Sequence, residues 1–167
     1  MATVKHTFLP EEVQFLATLF PAYSKVNGTN FPVSGLAFDA AADEFAYWKF
    51  KAQNYGSGNL TVNIHWYADT ASSGDVIFDA AIAAITSDTD TQDVETKTFA
   101  SVNSVTDTHL GTTGQRLHLC TITISNLDSL AADDIVWFRL SRDANNASDT
   151  MTGDAIVTLI ELTYSDT

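Results

Sequence analysis

The chain has 167 residues, the size of one domain, and 45% hydrophobic residues with ten Phe, five Tyr and three Trp are ample for an ordinary core. Twenty-one acidic against eight basic residues give a formal charge of -13, whose field repels phosphate backbones and anionic lipid heads, so neither nucleic acid nor a membrane is an expected partner. The single cysteine, Cys120, rules out an intrachain disulfide, and its place in an alternating run points to burial rather than nucleophilic use.

Residues 1–33 read as an N-terminal arm. Met1 to Phe8 lacks the basic start and apolar stretch of a secretory signal, and no unbroken apolar run is long enough to span a bilayer. The three sequons, at Asn27, Asn59 and Asn146, are accordingly read as coincidence. From Leu9 to Pro21, the Pro10-Glu11-Glu12 start and the helical spacing of Val13, Leu16, Ala17 and Phe20 predict a helix of one or two turns. So short an amphipathic piece must lean on its own body or on a neighbouring subunit, which makes Val13, Phe15, Leu16, Leu19 and Phe20 the candidate partner contacts. Residues 22–32, with Asn27-Gly28 and Phe31-Pro32, read as an extended connection, and deleting residues 1–30 is expected to leave a folded body.

Residues 34–167 form the expected body, a succession of strands. Gly35–Asp39 and Glu44–Lys51 come first, then Leu60–Ala68, where Leu60, Val62, Ile64, Trp66 and Ala68 face in and Thr61, Asn63, His65 and Tyr67 face out. A turn at Ser72–Asp75 leads to Val76–Ile85, whose alanines would also suit a helix but whose neighbours favour a strand. Beyond a polar loop over 86–96 lie Thr98–Val102, Thr106–Leu110 and the Cys120 strand over 116–125. Asn126–Asp133 reads as a short helical turn. Asp134–Arg142 and Ala155–Tyr164 close the chain around the acidic connection 143–154. Eight or nine strands without long helices predict an all-β fold, an antiparallel β-sandwich of jelly-roll type; an immunoglobulin-like sandwich is the alternative, without its Cys, Trp, Cys spacing.

Chemistry is sparsely marked. His6, His65, His109 and His118 are scattered, and only His65 and His118 could meet, too few ligands for zinc. Ser87–Asp93 begins like a calcium loop but carries Asp93 and Phe99 where Gly and Glu are needed, and the connection with Asp143, Asn145, Asp149 and Asp154 is a second candidate for Ca2+; no other cofactor is expected. No nucleophile motif occurs, so an enzyme is not expected. Tyr67 and Trp137 fall on the faces opposite the core residues of their strands. Each is either a platform for a sugar ring or a surface covered by the arm or a sister subunit.

The order of Leu36-Ala-Phe-Asp39, Asp43-Glu-Phe-Ala46, Leu60 to Ala68, Thr70 to Phe78, Phe138 to Ala144 and Asp149 to Ala155 resembles jelly-roll virion structural proteins encoded by tailed phages, over most of residues 33 to 165. The resemblance implies a non-enzymatic component of a virus particle, such as a capsid decoration or cement protein, head fibre or tail-associated module. It further implies a homotrimer located in the virion, with the major capsid protein as partner and no catalytic residue to carry over. The competing expectation is a carbohydrate-binding module using Tyr67 or Trp137.

Overall fold

Each strand that keeps the two-residue alternation has one dry face and one wet face, and two such sheets close over their dry faces. In the computed structural model, which describes residues 2–70 and 73–167, the larger sheet is six-stranded. It runs β2 (Ala22–Asn27), β3 (Pro32–Phe38), β10 (Ala155–Asp166), β5 (Tyr55–Ala68) and β8 (His118–Ile124), with β1 (Thr3–Phe8) pairing the second half of β10. The four-stranded sheet runs β4 (Glu44–Lys51), β9 (Ile135–Arg142), β6 (Asp75–Ile85) and β7 (Asn103–Thr108). All pairings are antiparallel, and the result is a sandwich of jelly-roll type. The first residue of the turn expected at Ser72–Asp75 lies outside the described residues.

The core is where the inner faces meet. Leu36, Phe38, Leu60, Ile64, Trp66 and Leu162 from one sheet pack with Trp48, Phe78, Ile82, Phe138 and Leu140 from the other. Trp66 meets Phe78 edge-on at 5.9 Å, and its indole N–H donates to Asp107 at 2.8 Å, so the one polar atom carried inward is satisfied. The inward set expected for β5 is the observed one. Val76–Ile85 is a strand despite its alanines, because pairing on both edges outweighs intrinsic preference.

Several local expectations are corrected. The helix expected over Leu9–Pro21 is a single 3-10 turn at Pro10–Glu12. After it the chain runs alongside β4: Gln14 and Tyr47 exchange both backbone hydrogen bonds, at 2.9 and 3.1 Å, and the Phe45 N–H donates to the Leu19 carbonyl at 2.8 Å. Without this segment β4 would be an open sheet edge, and covering it outweighs the helical spacing. Residues 22–32, expected as connection, form β2 and its hairpin with β3. The arm is therefore stitched into both sheets. Phe8 is 5% exposed and stacks on Phe138 at 5.4 Å, and Val13, expected as a partner contact, packs against the core. Thr98–Val102 and Asn126–Asp133 are loop and turns rather than strand and helix.

Arg142 ends β9 on the inner face and is fully buried. Its guanidinium donates to both Asp149 carboxylate oxygens, at 2.9 and 2.7 Å, and to the carbonyls of Gly153 and Met151, at 2.8 and 2.7 Å. Asp149 also accepts the Ile77 N–H at 3.1 Å. The connection considered for calcium is thus wound around a guanidinium, and Asp149 has no charge left for a cation.

Two histidines hold the loop before β8. His118 stacks on Trp66 at 4.5 Å and lies 4.5 Å from His109. His118 Nε2 accepts the Leu110 N–H at 3.0 Å, and His109 Nδ1 accepts the Gly111 N–H at 3.0 Å. Both acceptor roles need an unprotonated nitrogen. Burial first and His109 second press the His118 pKa below its ordinary value, against the pull of Asp107. His65 lies on the opposite face of the sheet, near Glu161, so His65 and His118, which could have met, do not.

Three outcomes follow from this packing. Phe8→Ala should lower unfolding free energy in urea by about 3–5 kcal/mol, a core-aromatic loss, whereas a detached arm would leave it within ~0.5 kcal/mol. Asp149→Ala, leaving Arg142 buried and unpaired, should cost about 3–5 kcal/mol, and Arg142→Met combined with Asp149→Leu less; equal losses would refute the charge argument. For a base with a depressed folded pKa, stability is complete above the unfolded value of about 6.5 and falls as pH drops below it. His118→Asn should therefore flatten the decline in stability between about pH 7 and 5, to which the half-buried His6 also contributes.

Candidate functional site

The outer face of the four-stranded sheet carries the most developed site. Because Val136, Phe138, Leu140 and Arg142 of β9 point inward, Trp137 and Arg139 point outward. Trp137 lies between Lys49 of β4 and Ala83 of β6, and Arg139 between Tyr47 and Ala81. Ala83 adds almost no bulk, so the sheet is low beside the indole and a trough of about 460 Å3 opens there. Phe15 and Leu16, from the segment alongside β4, form one wall, and Val94, Glu95, Lys97 and Phe99, from the loop after β6, form the other.

Polar groups stand around this aromatic floor. Gln14, Glu95, Lys97 and Arg139 line the trough. Lys97 is held by Asp128 at 3.0 Å. The Arg139 guanidinium carbon lies 5.3 Å from the centre of the Phe45 ring and 5.0 Å from that of Phe99, held by cation–π contact. Its Nε is buried without a hydrogen-bond partner. Burial raises the Tyr47 phenol above its ordinary pKa against the opposing charge of Arg139, so this hydroxyl stays a neutral donor and acceptor.

Tyr67 lies in a different groove, of about 890 Å3, on the outer face of the six-stranded sheet. It faces outward as expected, beside Ile156 of β10, but is only 9% exposed. The walls are mostly apolar: Val26, Phe31, Pro32, Val33 and Leu117, with Asp69 and Gln115 at one side. Gly35 forms part of the neighbouring floor, where an added Cβ would strike the Ile156 side chain.

The remaining expected residues are dispersed. Phe15 and Leu16 border the Trp137 trough. Phe15 stacks on Phe20 at 5.2 Å, and Leu19 is exposed, with a φ of 58°. Cys120 is buried, and burial pushes its thiol up to about 12, so it is no nucleophile. In the 86–96 loop, Asp90 caps the Thr86 N–H and Asp93 caps that of Glu95. Among the described residues no three His, Cys, Asp or Glu side chains gather as a metal site requires, and no helix is long and apolar enough to cross a membrane. Sequence reasoning found Trp137 but missed Tyr47, Phe99 and Arg139. The outward position of Arg139, two residues beyond Trp137, was the available signal.

No family model and no curated protein matches the chain. Among solved structures, an isomalto-dextranase from Arthrobacter globiformis T6, complexed with panose, aligns at 15% identity and a TM-score of 0.52; the match covers 96% of this chain and 23% of the enzyme. A carbohydrate-binding module studied for specific mannan recognition, TmCBM27, aligns at 8% identity and a TM-score of 0.50 over 99% of both chains. A CBM36 module in complex with calcium and xylotriose aligns at 17% identity, over 94% of this chain and 98% of its own, with a TM-score of 0.49. At these identities the likeness establishes a shared sandwich fold. It also corrects the expectation of a phage virion component, since the solved structures that share this architecture include a carbohydrate-binding module and part of an isomalto-dextranase. The homotrimer, the major capsid protein partner and the virion location had been implied by the phage resemblance alone.

Proposed function

We propose that this chain is a non-catalytic carbohydrate-binding module that holds a glycan in the trough beside Trp137. The observation that carries the reading is an indole opening onto an alanine-floored trough, with hydrogen-bonding side chains from three separate segments around it. A pyranose offers the complement: a flat C–H face that packs on an aromatic ring, and a perimeter of hydroxyls that need donors and acceptors. Gln14, Glu95, Lys97 and Arg139 supply both kinds at the trough's edge. The fold shared with a mannan-recognising module and with part of an isomalto-dextranase supports the same reading.

The lining supports binding rather than cleavage. Glycoside hydrolysis uses two carboxyl groups flanking the bond, about 5–9.5 Å apart, and Glu95 is the one carboxylate among the trough's lining residues. No step of this recognition draws on calcium.

The test is titration calorimetry against soluble mannan, xylan, β-glucan, α-glucan and uronate oligosaccharides. At least one should bind, and Trp137→Ala should weaken it by about tenfold or more, the ~1.4 kcal/mol expected from losing a ring and its burial. Tyr67→Ala should leave affinity within about twofold, since its groove is on the other sheet. Loss of binding in Tyr67→Ala with retention in Trp137→Ala would place the glycan elsewhere.

A further inference from the structure

Within the reading of the trough as a glycan site, we propose that it selects acidic sugars, with Arg139 receiving the carboxylate of a uronic-acid residue stacked on or next to Trp137.

The chain carries 21 acidic residues, yet among the described residues none lies within 4.0 Å of the Arg139 guanidinium. Of the other seven Lys and Arg residues, Lys5, Lys51, Lys97 and Arg142 are ion-paired, whereas Lys25, Lys49 and Arg116, like Arg139, have no acidic partner among the described residues. Arg139 is instead held between two rings, Phe45 and Phe99, which fix its position without using its hydrogen-bonding capacity. Its Nε is enclosed by protein and out of a ligand's reach, which leaves the two terminal amino groups to meet a ligand oxygen. A guanidinium held by two rings, without an acidic partner and at the edge of a trough, is a receptor for a planar anion, and carboxylate is the anion whose two oxygens match its two terminal amino groups.

Spacing ties this receptor to the sugar platform. Trp137 and Arg139 lie on the same face of β9, two residues and about 6.6 Å apart along the strand. A ring seated on the indole therefore has the guanidinium beside it, within reach of an exocyclic carboxylate at C6. Lys49, exposed and directly across from Trp137 on β4, adds a second positive charge along the platform.

The acidic groups nearby do not cancel this arrangement. Asp79, on the same face of β6, is engaged by the Ser104 hydroxyl; burial first raises its pKa, against the Ser104 hydrogen bond and the charge of Arg139, with which it makes no ion pair. Glu95 stands exposed on the rim, where solvent and salt screen it. The net charge of -13 slows the approach of an anionic polymer, but at physiological salt the field decays over about 8 Å, and contacts within the trough decide affinity.

The experiment compares oligosaccharides differing only at C6, carboxylate against hydroxymethyl: glucuronate with glucose, galacturonate with galactose and mannuronate with mannose, at 0.15 M salt. For at least one pair, the wild-type chain should bind the acidic member about tenfold more tightly, as a charge-assisted bidentate contact provides. Arg139→Gln should reduce that preference to within about twofold, the acidic member losing more affinity than the neutral one, and Arg139→Lys should keep only part of it. A wild-type chain that binds neutral members as well as or better than acidic ones in every pair overturns the proposal and leaves the glycan-site reading standing. Because this comparison needs no variant, it holds even if a substitution at Arg139 unfolds the chain. Preference undiminished in a folded Arg139→Gln also overturns it. Binding to no member of any pair overturns the acidic-sugar proposal, and if the neutral glycans above also fail to bind, the glycan-site reading falls with it.

Discussion

The register of β9 is the constraint on which everything else rests. Successive residues along this strand alternate between the core and the trough, so a slip of one position would put Trp137 and Arg139 among the core aromatics and expose Phe138 and Leu140. Apolar matching already disfavours that slip. Arg142 disfavours it further, because its inward guanidinium is fitted to Asp149 and to carbonyls of the following connection, partners that exist only in the observed register. A buried pair of this kind contributes little net stability compared with apolar packing, but it penalises alternatives heavily, since a shifted strand would leave one or both charges buried and unpaired. Register specification on the inner face is thus what delivers an indole and a guanidinium, correctly spaced, to the outer one.

The N-terminal segment belongs to the same logic. Passing from β1 in one sheet, along β4 of the other, and back to β2 in the first, it closes an edge that would otherwise expose unpaired backbone groups. In doing so it raises Phe15 and Leu16 as a wall of the trough. The apolar residues of this stretch therefore divide between two tasks. Phe8 and Val13 complete the core, whereas Leu16, Leu19 and Phe20 stay exposed around the site.

Strands with strict alternation were legible in the sequence. β5 could be placed with its inward residues, and β9 and β10 as strands, because local pattern and tertiary burial agree there. Residues 9–20 were misleading for a definable reason: apolar positions three and four apart fit a helix, but sheet-edge pairing captured the chain, and that competition depends on a partner strand distant in sequence. The His109–His118 contact was hidden similarly, since it forms only when the loop between them folds back. Of the site, Trp137 was visible as an outward aromatic. Its surroundings were not, because Phe99 comes from a loop without periodicity and the trough's depth comes from Ala83, whose significance appears only in register with β9.

The alanines of β6 show how shape and chemistry are set by one sequence choice. Ala81 and Ala83 would be poor strand formers in isolation, and β6 tolerates them because it is paired on both sides. A larger side chain at Ala83 would bring more packing between β6 and β9, and it would also fill the space beside the indole. Arg139 shows the same trade in electrostatic form. In a chain this acidic, a neighbouring carboxylate could have paired with it, but such a partner would have occupied the guanidinium edge that opens on the trough. A small residue where bulk would stabilise, and a cation held by rings where a carboxylate would pair with it, are departures from the most stable arrangement, and both occur beside the same tryptophan.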